Sequence, residues 1–181
     1  MPRALVPHPD GPRPAVAVTA EAVRLGGDGL ELRYLLSGDL AGVRLPATGA
    51  PARTDGLWRH TCFEAFVRAD EHPAYLELNL SPSSQWAAYR FDAYRDGMRL
   101  SMAAPTDIRV SDADAGLELS AVVDLAAAGL PPGAPWLVGL SAVVEDRAGA
   151  VSYWALAHPP GRPDFHSPDC FALELPAPHR P

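Results

Sequence analysis

Apolar and polar residues alternate along most of this chain in short runs bounded by Gly, Pro, Asp or Ser, and a period of two is the pattern of half-buried strands. The runs predict strands over residues 15–25, 30–37, 61–68, 75–81 and 86–92, followed by 107–111, 117–123, 136–145, 151–157 and 171–175. One helical turn fits, over 125–128, where Asp124 can cap the start and Gly129 can end it ahead of Pro131 and Pro132. Short strands with at most one or two helical turns predict an all-β fold: an antiparallel two-sheet β-sandwich of jelly-roll type. On this reading residues 1–14 form a disordered or extended N-terminal arm, 15–176 the sandwich and 177–181 a tail. The GGDG of 26–29 reads as a hairpin turn. Residues 38–56 keep no clear period and read as a long surface connection able to border a binding site.

Composition narrows the picture. At 181 residues and 48% hydrophobic, the chain can bury one core, and its 20 prolines and 15 glycines argue against long helices. Its 15 basic residues are all arginine; against 22 acids they leave a net charge of −7 and form no basic stripe, so nucleic acid is excluded as an expected partner. No apolar run approaches the ~18 residues of a membrane-spanning helix, and prolines break the N-terminal segment before a signal-peptide core can form. The expected location is cytoplasmic, with no membrane partner. Cys62 and Cys170 are too few for a disulfide scaffold and lack CxxC spacing, which predicts buried free thiols.

The candidate chemistry concentrates in residues 58–94. Alternation places Phe63, Ala65 and Val67 on one face of the 61–68 strand and Cys62, Glu64 and Phe66 on the other, with His60 continuing the second face. In 75–81, Leu76, Leu78 and Leu80 take the core face and leave Tyr75, Glu77, Asn79 and Ser81 opposite. A hairpin through 69–74 then pairs Phe66 with Glu77, Glu64 with Asn79 and Cys62 with Ser81. The third strand offers Trp86, Ala88 and Arg90 on one face and Ala87, Tyr89 and Phe91 on the other. The expected polar patch is His60, Glu64, Glu77, Asn79 and Arg90, with Arg90 orienting Glu64 and keeping it ionised. Beside Tyr75, Trp58 and Trp86, such a patch has what a sugar needs: hydrogen bonds for hydroxyls and an aromatic face for ring C–H groups. The same residues equally describe a solvated face whose charges pair internally.

A second cluster, HPPGRPDFHSPDC at 158–170, holds Asp164 and His166 among prolines that reduce its chain entropy. It reads either as a loop presenting a polar site or as a rigid crossover whose His and Asp residues cap turns. No metal-ligand spacing is present, although Asp side chains and carbonyl oxygens suit calcium. GxSxG, Walker and HExxH motifs are absent, while Glu64 and Glu77 supply the two carboxyl groups that glycosidase chemistry requires.

The runs LWRHTCFEAFVR (57–68), YLELNLSPSSQWAAYRFDAYRDGM (75–98) and HPPGRPDFHSPDCFALEL (158–175) resemble the bacterial DOMON-like domains related to the family-nine carbohydrate-binding modules. The likeness spans nearly the whole chain. It implies a non-catalytic β-sandwich that binds carbohydrate or a related small polar ligand, with structural calcium in some relatives and haem b in others. Trp58, Glu64, Asn79, Trp86 and Arg90 match the family pattern. For haem, Met98, Met102, His60 and His166 are chemically able axial ligands, and the sequence aligns no two of them as a pair. The expected function is therefore carbohydrate or small-ligand binding, with a haem b-binding cytochrome-like domain and an enzyme using paired carboxylates as the alternatives. No protein partner is indicated.

Overall fold

The computed structural model describes residues 1–26, 28–70, 72–131 and 133–177. Gly27 of the predicted turn, Glu71 of the 69–74 connection, Pro132 and residues 178–181 of the tail lie outside the described residues. In chain order the strands are β1 (Arg3–Ala4), β2 (Val6–Pro7), β3 (Val16–Arg24), β4 (Gly29–Gly38), β5 (Ala52–Arg53), β6 (Cys62–Ala69) and β7 (Tyr75–Leu80). They continue with β8 (Gln85–Phe91), β9 (Arg99–Leu100), β10 (Ala104–Ala113), β11 (Gly116–Asp124), β12 (Trp136–Glu145), β13 (Val151–Ala155) and β14 (Leu173–Leu175). Each predicted strand is present, and the unpredicted pieces, β1, β2, β5 and β9, are two residues long, too short to show a period.

The strands form two sheets. The first has the order β1-β3-β4-β11-β10; the second runs β2-β13-β12-β6-β7-β8-β5, with β14 also on β12 and β9 also on β8. Every pairing is antiparallel except the short β5–β8 contact. This is the predicted two-sheet sandwich. The N-terminal residues are extended and reach both layers, β1 pairing with β3 and β2 with β13, while Leu5 between them is buried. The predicted turn is a 3₁₀ helix at Ala126–Ala128: Asp124 Oδ1 accepts from the Ala126 N–H at 2.9 Å, and Gly129 closes it at φ 69°.

The main core lies between the sheets. Leu30, Leu32, Tyr34 and Leu36 of β4 meet Phe63, Ala65 and Val67 of β6 and Leu76, Leu78 and Leu80 of β7, and each fully buried leucine contributes roughly 1.5–3 kcal/mol. Tyr34 fixes where the layers meet: its ring stacks on Phe63 at 4.9 Å and its hydroxyl donates to the Glu64 carbonyl at 2.6 Å.

A second apolar layer decides the site. On the outer face of the second sheet, Phe66, Tyr75, Ala87, Tyr89, Phe91 and Val143 pack against Phe165 and Phe171 of the proline-rich segment. That face is covered, so it is not the solvated face that alternation also allowed. Gly139 of β12 permits the covering, since a Cβ there would come within 2.9 Å of the Cys170 carbonyl oxygen. The 38–56 connection is likewise more than surface: Val43 is buried and the Arg44 N–H donates to the Glu145 carbonyl at 2.8 Å.

Candidate functional site

The hairpin of β6 and β7 adopts the predicted register, with Phe66 opposite Glu77 and Glu64 opposite Asn79. Glu64 and Glu77 therefore rise from one face as diagonal neighbours. Strand β8 adds Tyr89 opposite Glu77 and Ala87 opposite Asn79, while Leu80 faces Trp86 and Leu76 faces Arg90. This corrects two expectations. Trp86 and Arg90 share the inter-sheet face with the leucines, so neither joins the polar patch. Trp86 packs on the main core under the Arg53 guanidinium, 4.3 Å from its ring, and Arg90 donates to the Ala128 carbonyl. Arg90 cannot orient Glu64 through the sheet.

His60 is also separated from the carboxylates. Its Nδ1 lies 2.7 Å from Glu145 Oε2, and the Arg44 guanidinium binds Glu145 Oε1 at 3.0 Å. These partners, His60 foremost, hold the Glu145 carboxyl below the usual range. They line a neighbouring cleft of about 520 Å³ bordered by the 38–56 connection.

Glu64, Glu77, Trp58 and His166 come together in a cavity of about 580 Å³. Its walls include Phe91, Tyr153 and Phe165, and Arg95, Met98 and Arg162 also line it. The sequence missed these wall residues because they join from separate strands and a distant loop. The one signal available was the alternation of Tyr89 and Phe91 away from Trp86. Trp58 sits in the 3₁₀ turn Leu57–Arg59, entered through Gly56 at φ 77°, with its ring edge-to-face against Tyr89 at 5.6 Å.

The loop candidates take distinct places. His166 is half-buried, edge-on to Phe66 and to Phe91 at 5.1 Å each, with Nδ1 2.8 Å from the Tyr75 hydroxyl and Nε2 3.8 Å from Glu77 Oε2. Burial, helped by the nearby Arg95 charge, lowers its pKa to about 4, so the ring is neutral at neutral pH. Asp164 works behind the wall. Its Oδ1 accepts from Arg95 Nη2 at 2.7 Å and from the His166 N–H at 3.1 Å, and Tyr94 donates to its other oxygen.

Asn79 lies fully buried beneath the floor and donates Nδ2 to Glu77 Oε1 at 2.7 Å. Burial nevertheless raises Glu77 to about 7. Glu64 is pushed well above the carboxylate range, first by burial and then by the charge of Glu77, and its Oε1 is buried without a hydrogen-bond partner. This direction runs against the expected ionised Glu64, because burial and the neighbouring Glu77 carboxyl both favour its protonated form.

Among the described residues no three His, Cys, Asp or Glu side chains converge on a metal position. Met98 and His166 do line the same cavity, but one His166 nitrogen is bonded to Tyr75, and iron on the other would occupy the space of the Glu77 carboxylate. No helix among the described residues is long and apolar enough to cross a membrane.

No family model matches the chain, and no curated protein matches it. Among solved structures it is similar to the "putative carbohydrate-binding protein" of Bacteroides uniformis ATCC 8492, at 18% identity and a TM-score of 0.66 over 94% of this chain and 83% of that one. A family-nine carbohydrate-binding module from Caldicellulosiruptor kristjanssonii, in complex with glucose, aligns at 11% identity and a TM-score of 0.47, over 83% of this chain and 71% of its own. What the Bacteroides structure shares with this chain is the fold.

Proposed function

We propose that this chain is a non-catalytic, sugar-binding sandwich of the DOMON-like kind, with its ligand in the cavity between the outer face of the second sheet and the 158–170 segment. The observation that carries this reading is a cavity walled by Trp58, Phe91, Tyr153 and Phe165 and lined by Glu64, whose buried Oε1 has no hydrogen-bond partner. Aromatic faces suit the apolar C–H side of a pyranose, and an unsatisfied carboxyl oxygen suits a hydroxyl. The name of the Bacteroides neighbour supports the same ligand class.

The carboxylate pair also invites a hydrolytic reading. Hydrolysis needs an acid and a nucleophile or base that flank the scissile bond, whereas Glu64 and Glu77 approach from one side, off one sheet face. Binding without turnover suits that placement better.

Isothermal titration with a panel of mono- and disaccharides, neutral and amino sugars alike, tests the reading. At least one should bind with a stoichiometry of one and remain chemically unchanged afterwards. Absence of binding across the panel, or release of reducing sugar from a bound disaccharide, would overturn it.

A further inference from the structure

The cavity floor is more anionic than a neutral sugar requires. Glu64 and Glu77 are both buried, and among the described residues no arginine forms an ion pair with either. The groups facing them are Tyr34 of β4, Cys62 of β6, Tyr75 of β7, and His166, whose Nε2 lies 3.8 Å from Glu77. Arg95 lines the cavity and its charge reaches Glu77, but its guanidinium is paired with Asp164 at 2.7 Å, and Arg162 lies exposed at the rim. Buried carboxylates are ordinarily paired, and one oxygen here has no partner at all.

We propose that the group seated on this floor is a primary ammonium, so that the site prefers amine-bearing sugars to neutral ones; this rests on the sugar-binding reading above. A hydroxyl offers one donor and no charge. An ammonium offers three N–H donors with a positive charge, enough to satisfy Glu64 Oε1 and Glu77 Oε2 together. The aromatic walls add attraction for a cation. A quaternary ammonium carries the charge but no N–H, and would leave Glu64 Oε1 unpaired. An ammonium seated beside the two raised carboxyls favours their ionised forms, so binding at a pH where either is protonated releases a proton to solvent.

Calorimetry on the unmodified chain near neutral pH, with D-glucose, N-acetyl-D-glucosamine, D-glucosamine and cyclohexylamine, separates the possibilities. Glucosamine should bind at least about tenfold more tightly than glucose and N-acetylglucosamine, a factor suited to an added charge-assisted contact. Its heat should change with the ionisation enthalpy of the buffer, reporting the released proton. In Glu64→Gln the preference should shrink to within roughly threefold, because the amide cannot supply the charge. Equal affinity for glucose and glucosamine overturns the ammonium seat and leaves the sugar reading intact, and so does a preference that survives Glu64→Gln. Cyclohexylamine binding without any sugar binding overturns the sugar reading and supports the seat. Failure of all four ligands overturns both. The ligand comparison needs no variant, so it decides the matter even where Glu64→Gln does not fold.

Discussion

Asn79 stands directly across from Glu64 in the β6–β7 ladder, yet its amide turns along its own strand and gives Nδ2 to Glu77 Oε1 at 2.7 Å. The choice divides the two carboxyls. Glu77 has a donor that lowers its pKa against the effect of burial, while Glu64 keeps a buried oxygen with no partner and is raised by burial and by the charge of Glu77. Two raised carboxyls of this kind shape stability.

Stability should fall as pH rises through the neutral range. Glu77 moves from 4.5 to about 7, so between those values the folded chain holds a proton that the unfolded chain has released. That limb is on the order of 3 kcal/mol, and Glu64 acts in the same direction. His166 opposes them: lowered from 6.5 to about 4, it is deprotonated in the fold where the unfolded chain binds the proton, so its share of stability rises with pH across that window. His158 is lowered by burial too and acts with His166, but melting temperatures taken between roughly pH 5 and 8 should decline for the wild type, because the two raised acids outweigh the two lowered histidines. In a chain carrying both Glu64→Gln and Glu77→Gln the slope should change sign and follow the lowered histidines, His166 and His158. A wild-type melting temperature that climbs steadily with pH contradicts the assignment.

The two tryptophans of the 58–94 block should separate cleanly. Trp58 lines the cavity, so Trp58→Ala should weaken sugar binding by about 1–2 kcal/mol, the worth of a lost aromatic face. Trp86 packs on the opposite side of the sheet, so Trp86→Ala should cost roughly 2–4 kcal/mol of stability while sugar affinity stays within a factor of about two. Urea unfolding paired with sugar titration measures both. Affinity that depends on Trp86 and ignores Trp58 would place the ligand elsewhere.

Gly139 should act on the site from a distance. Adding a methyl group there pushes on the Cys170 carbonyl, 2.9 Å from the ideal Cβ position, and so lifts the segment that carries Phe165 and His166. Gly139→Ala should lower stability by about 1–3 kcal/mol and loosen this segment ahead of the core strands. Hydrogen exchange would show early loss of protection in 158–171 with β4 and β6 still protected. Uniform loss through both sheets would mean that the glycine serves the whole sandwich instead.

The sequence by itself determined the strands and the hairpin. Leu76, Leu78 and Leu80 alternate with Tyr75, Glu77 and Asn79, and slipping the register by one would drive the Glu77 carboxyl and the Asn79 amide between the sheets, so Glu64 had to meet Asn79. The capped turn after β11 was legible for the same local reason, since Asp124 and Gly129 act within a few residues of it. Only the tertiary structure decided which side of β8 faced the carboxylates. Trp86, Ala88 and Arg90 alternate with Ala87, Tyr89 and Phe91, and because both sets are mostly apolar the period names no inner face; pairing with β7 puts Trp86 and Arg90 inside. Nor could alternation reveal that the outer face is covered. That depends on a segment some ninety residues away along the chain, which folds back through Phe165 and Phe171 onto Phe66 and turns a row of polar side chains into the floor of a cavity.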